Sequence, residues 1–291
     1  MKPQIALIGP GKVGCAVTRK LYQAGYPITA VIGRNVASAS DACHFIGCPP
    51  AAASNHLAAA GKADIILMAV KDDQIAELAE KLCAELELSA RQTLIHFSGL
   101  LPASTLQCSE AVATLSIHPL LPFASREIAC HKLLGCPCAY EGNPIRHSLS
   151  IELINALGGQ PFPIAAEDKA IYHASASIAS NFFVTLLATA EKLLQDCGIP
   201  SDRALPLLLP LVRATLDNVV AVGTEQGLTG PIVRGDSETV SQHLAAFENR
   251  PELSSLYQLL ARRTLTLAET SGRLSQGAAA ELQKAIKPTK G

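Results

Sequence analysis

Gly9-Pro10-Gly11-Lys12-Val13-Gly14 follows the short apolar run Ile5-Ala6-Leu7-Ile8 and leads into a segment, Val13 to Ala24, with apolar residues at helical spacing. A run of four apolar residues is the length of a buried parallel strand, and Gly25 is a good left-handed helix stop. Strand, glycine turn and helix are together the first unit of a dinucleotide-binding domain. The first Gly permits a sharp turn, the second lets backbone approach a pyrophosphate, and the third lets helix pack closely on strand. The helix N-terminus offers the phosphates free N–H groups and the positive end of its dipole. The turn therefore predicts Gly9, Pro10, Gly11, Lys12, Val13 and Gly14 as cofactor contacts.

The second apolar run, Ile28 to Ile32, ends in Gly33-Arg34-Asn35, with Arg34 twenty positions beyond Gly14. A carboxylate there would accept hydrogen bonds from the ribose hydroxyls of NAD. Arg34, Asn35 and Ser38 instead offer a cation and small polar groups, which suit a 2′-phosphate. NADP is favoured over NAD; a solvated Arg at a strand end is the plainer reading of Arg34.

A chain of 291 residues with 48% hydrophobic and 17% charged residues is long enough to fill the cores of two domains. Its net charge of −1, from 24 basic and 25 acidic residues, projects no field toward nucleic acid or an anionic membrane. The cofactor turn lies too near the start for a signal peptide to precede it. The apolar run Leu205 to Val212 is short and broken by Pro206 and Pro210, which argues against a membrane span. Nine Cys without Cys-x-x-Cys spacing predict reduced thiols in a cytoplasm and no metal site.

Strand-like and helix-like segments alternate onward. Strands are predicted over 63–70, 92–98, 113–118, 136–140 and 160–164, with helices over 73–87 and 151–157. This rhythm means an α/β fold with a doubly wound, mostly parallel sheet. After Ala165 only helical patterns follow, over 168–197, 203–222, 236–249, 252–271 and 275–286. The domains are accordingly expected at 1–165 and 166–291.

In such a sheet, ligands bind beyond the carboxyl ends of the strands. That rule selects the turns at Val70 and at Ser98-Gly99, the latter facing the nicotinamide half of the cofactor. Ser98 is read either as orienting a substrate oxygen or carboxamide, or as a loop cap. Pro119 biases His118 toward an extended conformation, ending the strand and projecting an imidazole that can exchange protons near neutral pH. A structural histidine is the alternative. Lys169, His173, Ser177, Ser180 and Asn181 span an arc of roughly 120° on the next helix, whose remaining surface is apolar. A buried helix with this arc requires polar partners, from a ligand cleft or from another helix or subunit. Between later helices, Thr229 and Arg234 could bind substrate, Arg234 by clamping a carboxylate, and Asp236 reads first as a helix cap.

These residues resemble proteins that pair a Rossmann-like domain with a helical C-terminal domain of unknown function and are labelled NADP- or deazaflavin-dependent oxidoreductases. The resemblance covers essentially the whole chain. More distantly the chain is similar to ketopantoate reductases, pyrroline-5-carboxylate reductases, β-hydroxyacid dehydrogenases and prephenate dehydrogenases, and its second part to the 6-phosphogluconate dehydrogenase C-terminal domain. Those families place the site in a cleft and dimerise through their helices. Lys169 matches the Lys that begins the helical domain of β-hydroxyacid dehydrogenases and ketopantoate reductases. Their Asn four positions later is His173 here, and Asn appears at Asn181. His118-Pro119 resembles the His-Pro of prephenate dehydrogenases, whose His contacts the reacting hydroxyl, and Ser98 matches their nicotinamide-side Ser. Thr229-Gly230-Pro231 resembles a loop of pyrroline-5-carboxylate reductases. The resemblance implies a homodimeric NADP-dependent oxidoreductase acting on a small carboxylate bearing C=O or C=N. The catalytic set would be His118, Lys169, His173, Asn181 and Ser98, with Ser177, Thr229 and Arg234 at the substrate. A ketopantoate-type 2-keto acid is the first expectation and a pyrroline-5-carboxylate-like imine the second. A non-catalytic NADP sensor and hydride exchange with a deazaflavin are further alternatives.

Overall fold

The computed structural model describes residues 1–286. Strand β1 (Ile5–Ile8) and helix α1 (Lys12–Gln23) flank the glycine turn, and Gly25 takes a φ of 87° beyond the helix. Then come β2 (Ile28–Ile32), α2 (Val36–Ile46), the short β3 (Ala53–Ser54), β4 (Ile65–Met68) and α3 (Asp72–Glu85). The alternation continues with β5 (Thr93–His96), β6 (Ala113–Pro119), α4 (Arg126–Lys132), β7 (Pro137–Gly142), α5 (His147–Ala156) and β8 (Gln160–Pro163). The eight strands form one sheet in the order β3-β2-β1-β4-β5-β6-β7-β8. All neighbours are parallel except β6 and β7. The C-terminal ends of β1, β2, β4, β5 and β6 therefore share one edge.

The central strands are apolar throughout because both sheet faces are covered. Ile5 and Leu7 enter one core cluster and Ala6 and Ile8 the other, each at most 4% exposed. The period-two alternation of strand side chains accounts for that split. Two helices lacked a clear sequence pattern. Helix α2 is set by its caps, Asn35 accepting from the Ser38 N–H and Gly47 in the left-handed conformation. Helix α4 begins at Ser125, whose hydroxyl accepts from the Ile128 N–H. Strand β6 does not stop at His118 as expected. It continues through Pro119, which pairs with Cys138.

Helices follow β8: α6 (Lys169–Ser177), a π-helical stretch over Ile178–Phe182, and α7 (Phe183–Asp196). The chain forms two compact units, Met1–Thr185 and a second from Leu186 onward. The change to all-helical chain thus falls after Pro163, while α6 belongs to the sheet-bearing unit. In the second unit, α8 (Ser201–Gly227) carries Pro206 and Pro210 and breaks at Gly223, whose φ and ψ are 79° and 173°. Helices α9 (Ser237–Ala246), α10 (Pro251–Thr270) and α11 (Gln276–Ala285) complete it, packed around Val240, Ala261, Leu265 and Leu282. Asp236 is the N-cap of α9, accepting from the Thr239 N–H at 3.0 Å.

Two sequence expectations need correction. The helix after Lys169 was expected to be buried, yet Ile171, Ile178 and Phe182 are 79%, 62% and 57% exposed. By length and composition alone Ala166–Asp196 and Ser201–Gly227 would also be long and apolar enough to cross a bilayer, a test that core helices of soluble proteins pass as well. The thiols are not all reduced, since Cys83 and Cys108 form a disulfide. Their distance in sequence hid a juxtaposition that α3 creates. Of the free cysteines, Cys197 is exposed and the other six are buried.

Candidate active site

The glycine turn works by sterics that can be stated atom by atom. Gly9 has a φ of 84°, and a Cβ there would stand 2.7 Å from the Ala69 carbonyl oxygen. A Cβ on Gly14 would meet the Gly9 carbonyl oxygen at 2.7 Å and Leu7 at 2.9 Å, so Gly14 seats α1 on β1. A Cβ on Gly11 would meet nothing within 4 Å, leaving open space for a ligand. Gly11 is the N-cap of α1 without a side-chain hydrogen bond, and the first turn holds no acidic residue. The first-turn N–H groups have no side-chain cap, so this helix end is a position that can bind an anion.

That position opens into a cavity of about 790 Å³, within the range of roughly 300–1,000 Å³ typical of cofactor sites. Gly9, Pro10, Gly11, Arg34, Ser38 and Val70 line it; Lys12, Val13, Gly14 and Asn35 do not. Asn35 is the N-cap of α2, its Oδ1 accepting from the Ser38 N–H at 2.8 Å. The Ser38 hydroxyl in turn donates to the Asn35 carbonyl at 2.9 Å. Arg34 is exposed at the rim, and Lys71, unnoticed in the sequence, adds a second cation to the lining. The lining carboxylate of Glu77 is paired with Lys81 at 2.6 Å. Uncapped amides, an open cradle at Gly11 and two cations without an ion pair among the described residues fit a pyrophosphate and a 2′-phosphate.

Further along the same edge, β5, β6 and α6 gather the second set of predicted residues. The Ser98 hydroxyl donates to Asp72 at 2.7 Å and accepts from the N–H groups of Leu100 and Leu101 at 3.1 and 2.9 Å. It caps the loop after β5, the second of the two readings the sequence offers for Ser98. The Ser98 N–H donates to His96 Nδ1 at 3.1 Å, so His96 carries its proton on Nε2 and donates it to the Pro102 carbonyl at 3.1 Å. His96 is fully buried, and burial pushes its pKa down to about 4.

Lys169 is 1% exposed and points inward. Its Nζ donates to the Ser98 carbonyl at 3.1 Å and the Ser116 hydroxyl at 2.6 Å, and lies 3.7 Å from Glu141. Glu141 also accepts from the Ala103 N–H at 2.6 Å. Burial lowers the Lys169 pKa against the attraction of Glu141. Lys169 is not a surface lysine; it ties α6 to the loop after β5.

His118 and His173 do come together. Their ring centroids are 6.3 Å apart, and a Cβ on Gly99 would stand 2.8 Å from each ring. Gly99 is therefore the floor between two imidazoles. Tyr172, which the sequence reading passed over, places its hydroxyl 2.7 Å from His118 Nδ1. Burial lowers the His118 pKa to about 4, reinforced by Lys169 and His173, and raises that of Tyr172 to about 12. At neutral pH His118 is an uncharged imidazole that donates or accepts, and Tyr172 is a protonated phenol. Ser177 lies one turn beyond His173, half-buried, and Asn181 is exposed within the π-helical stretch. That stretch breaks the α period on which the five-residue arc was drawn. Thr229 and Arg234 are exposed residues of the second unit.

Residues 4–98 match the family described as NADP oxidoreductase coenzyme F420-dependent. Residues 136–264 match a domain of unknown function, DUF2520. The chain's fold is that of solved structures of low sequence identity. A Bacteroides fragilis protein assigned as an NADP oxidoreductase is 22% identical with a TM-score of 0.72, covering 91% of this chain and 98% of that one. The 1-pyrroline-5-carboxylate reductase of Streptococcus pyogenes is 18% identical with a TM-score of 0.64, covering 92% and 99%. Plasmodium falciparum pyrroline carboxylate reductase, solved with NADP bound, is 15% identical with a TM-score of 0.57, covering 97% and 98%. No curated protein matches the chain.

Proposed function

We propose that the protein uses NADPH to reduce a small carboxylate bearing a C=O or C=N group, with a 2-keto acid of the ketopantoate type as first substrate. The observation that carries this reading is the His118, Tyr172 and His173 cluster on Gly99, at the sheet edge that also bears the glycine-lined cavity. Bound NADPH supplies a hydride from its nicotinamide. His118, uncharged, meets the charge that develops on the substrate oxygen as an N–H donor, a role in which a neutral imidazole is effective. His173 flanks the same position, Ser177 extends the polar surface of α6 toward the substrate, and Asn181 follows in the π-helical stretch. Lys169 holds the loop on which Gly99 sits.

A cyclic imine is the second reading, favoured by the neutrality of His118. An iminium arrives carrying its own proton, so its reduction asks none of a site that holds no acidic imidazolium. NADPH oxidation against a panel of 2-keto acids and cyclic imines separates the two, with His118→Ala and His173→Ala alongside. The panel includes an oxidised deazaflavin, since the matching family's description names coenzyme F420. Turnover that survives both substitutions refutes the site. NADPH that binds but reacts with no member of the panel favours a sensing role.

A homodimer through the helices is proposed from exposed apolar side chains. Leu207, Leu211, Leu216 and Val220 of α8 are 52%, 65%, 61% and 79% exposed, a surface that a second copy would cover. Light scattering of the wild type should give twice the chain mass, and Leu211→Glu with Val220→Glu a single chain.

A further inference from the structure

We propose that Tyr172 is the second half of a proton relay with His118, donating its phenolic O–H to Nδ1 and holding the imidazole as its Nε2–H tautomer. The inference rests on the proposed reductase reading and adds to it a residue that acts through His118. The hydroxyl and Nδ1 are 2.7 Å apart, and the phenol proton has no other acceptor among the described hydrogen bonds. The Tyr172 ring is held edge-on between two others, with centroids 5.5 Å from His118 and 6.1 Å from Phe162. Its hydroxyl is thus fixed by packing rather than by the hydrogen bond alone.

The helix explains why this Tyr is in register. Lys169, Tyr172 and His173 stand at i, i+3 and i+4, one face of α6. The buried Nζ of Lys169, tied to Ser98 and Ser116, anchors that face on the ends of β5 and β6. His118 Nε2 lies on the other side of its ring from Tyr172. A Cβ on Gly99 would stand 2.9 Å from it, and no described residue hydrogen-bonds to it. The imidazole therefore has one nitrogen satisfied by protein and one left for a reacting group.

The pair can deliver a proton without ever forming an imidazolium. When the carbon of a C=O group has been reduced, its oxygen holds a new electron pair. That oxygen takes the proton from Nε2 while Nδ1 takes the proton of Tyr172. His118 ends neutral in its other tautomer and Tyr172 ends as a phenolate, which regains its proton from solvent. The high pKa of Tyr172 and the low pKa of His118 both favour the starting arrangement. The charged and titratable groups acting on His118 are Lys169, His173, Asp72 and His96.

The test is nitrogen-15 NMR of histidine-labelled protein, the His118 signals being assigned by their loss in His118→Gln. The wild type should show Nε2 protonated and Nδ1 bare, and Tyr172→Phe a mixture of tautomers. Tyr172→Phe should also lower kcat on the order of 100-fold, with KM and NADPH affinity within about threefold of wild type. A wild-type His118 protonated on Nδ1 overturns the relay, and so does an unchanged tautomer or an unchanged kcat in Tyr172→Phe. The wild-type spectrum decides even where the variant fails to fold. It needs no substrate, so a failed relay is distinguishable from a failed reductase reading.

Discussion

Lys169→Met removes a cation that is 1% exposed and leaves its partner Glu141, 7% exposed, as a buried carboxylate held by the Ala103 N–H. Three interactions go at once: the bonds to the Ser98 carbonyl and the Ser116 hydroxyl, and the pairing with Glu141 at 3.7 Å. Breaking one side of a buried pair costs about 3–5 kcal/mol, because the remaining charge loses its compensation. Against a typical domain stability of about 5–15 kcal/mol that loss is large. Neutralising the partner removes the stranded charge, so Lys169→Met with Glu141→Gln should recover part of it. A coupling energy of about 1–3 kcal/mol between the two sites is expected. Urea unfolding followed by circular dichroism gives both quantities from the midpoints and slopes. A Lys169→Met variant less than about 1 kcal/mol below wild type would refute the reasoning, as would strict additivity of the two substitutions. Wild-type stability with complete loss of turnover would instead identify Lys169 as a group that meets the substrate.

Acid should destabilise the fold in a defined window. The unfolded chain protonates His96 near its ordinary value of 6.5, whereas the folded chain does so only near 4. The stability gained by keeping it neutral is therefore intact above about pH 6.5 and is lost as pH falls toward 4, an amount of roughly 3 kcal/mol. Stability measured in urea at pH 7 and pH 4.5 should show the fall, and His96→Gln should reduce it without abolishing it, because His118 is depressed to the same value; a flat wild-type profile would contradict the burial argument. Arg34→Ala should weaken NADPH binding by about 10- to 100-fold and leave NADH unchanged, read by fluorescence titration, since charged hydrogen bonds contribute about 1.5–3 kcal/mol. Equal weakening of both cofactors would remove Arg34 from the 2′-phosphate. Gly99→Ala places a Cβ 2.8 Å from both imidazoles, so it should displace His118 and lower kcat at least tenfold while NADPH affinity stays the same. Wild-type kcat would show that the floor between the two rings is immaterial.

The residues that announced themselves in the sequence were those whose role is set by backbone. Gly9, Gly11 and Gly14 stand within one turn of each other, and the space each leaves open is a local property of strand, turn and helix. The place of Arg34, at the end of β2 on the rim of the same cavity, was legible because the chain has few ways to leave β2. The site beyond β5 and β6 was legible only in part, because its contacts join residues far apart in sequence. Ser98 meets Asp72, and Lys169 meets Ser116 and Glu141, pairings fixed by a sheet order that no spacing rule supplies. Lys169 and Ser98 were read as chemistry because they are polar at strand and helix ends. Their partners show that both also hold the loop after β5. Tyr172 was passed over for the opposite reason. Its ring looked like one more apolar residue of α6, although its offset of three from Lys169 already put it beside the polar arc. Polar type alone ranks such residues badly. What separates scaffold from site is whether the hydrogen-bonding capacity of each group is already spent within the fold. By that measure Ser98 and Lys169 are filled, while His118 keeps a nitrogen to spare.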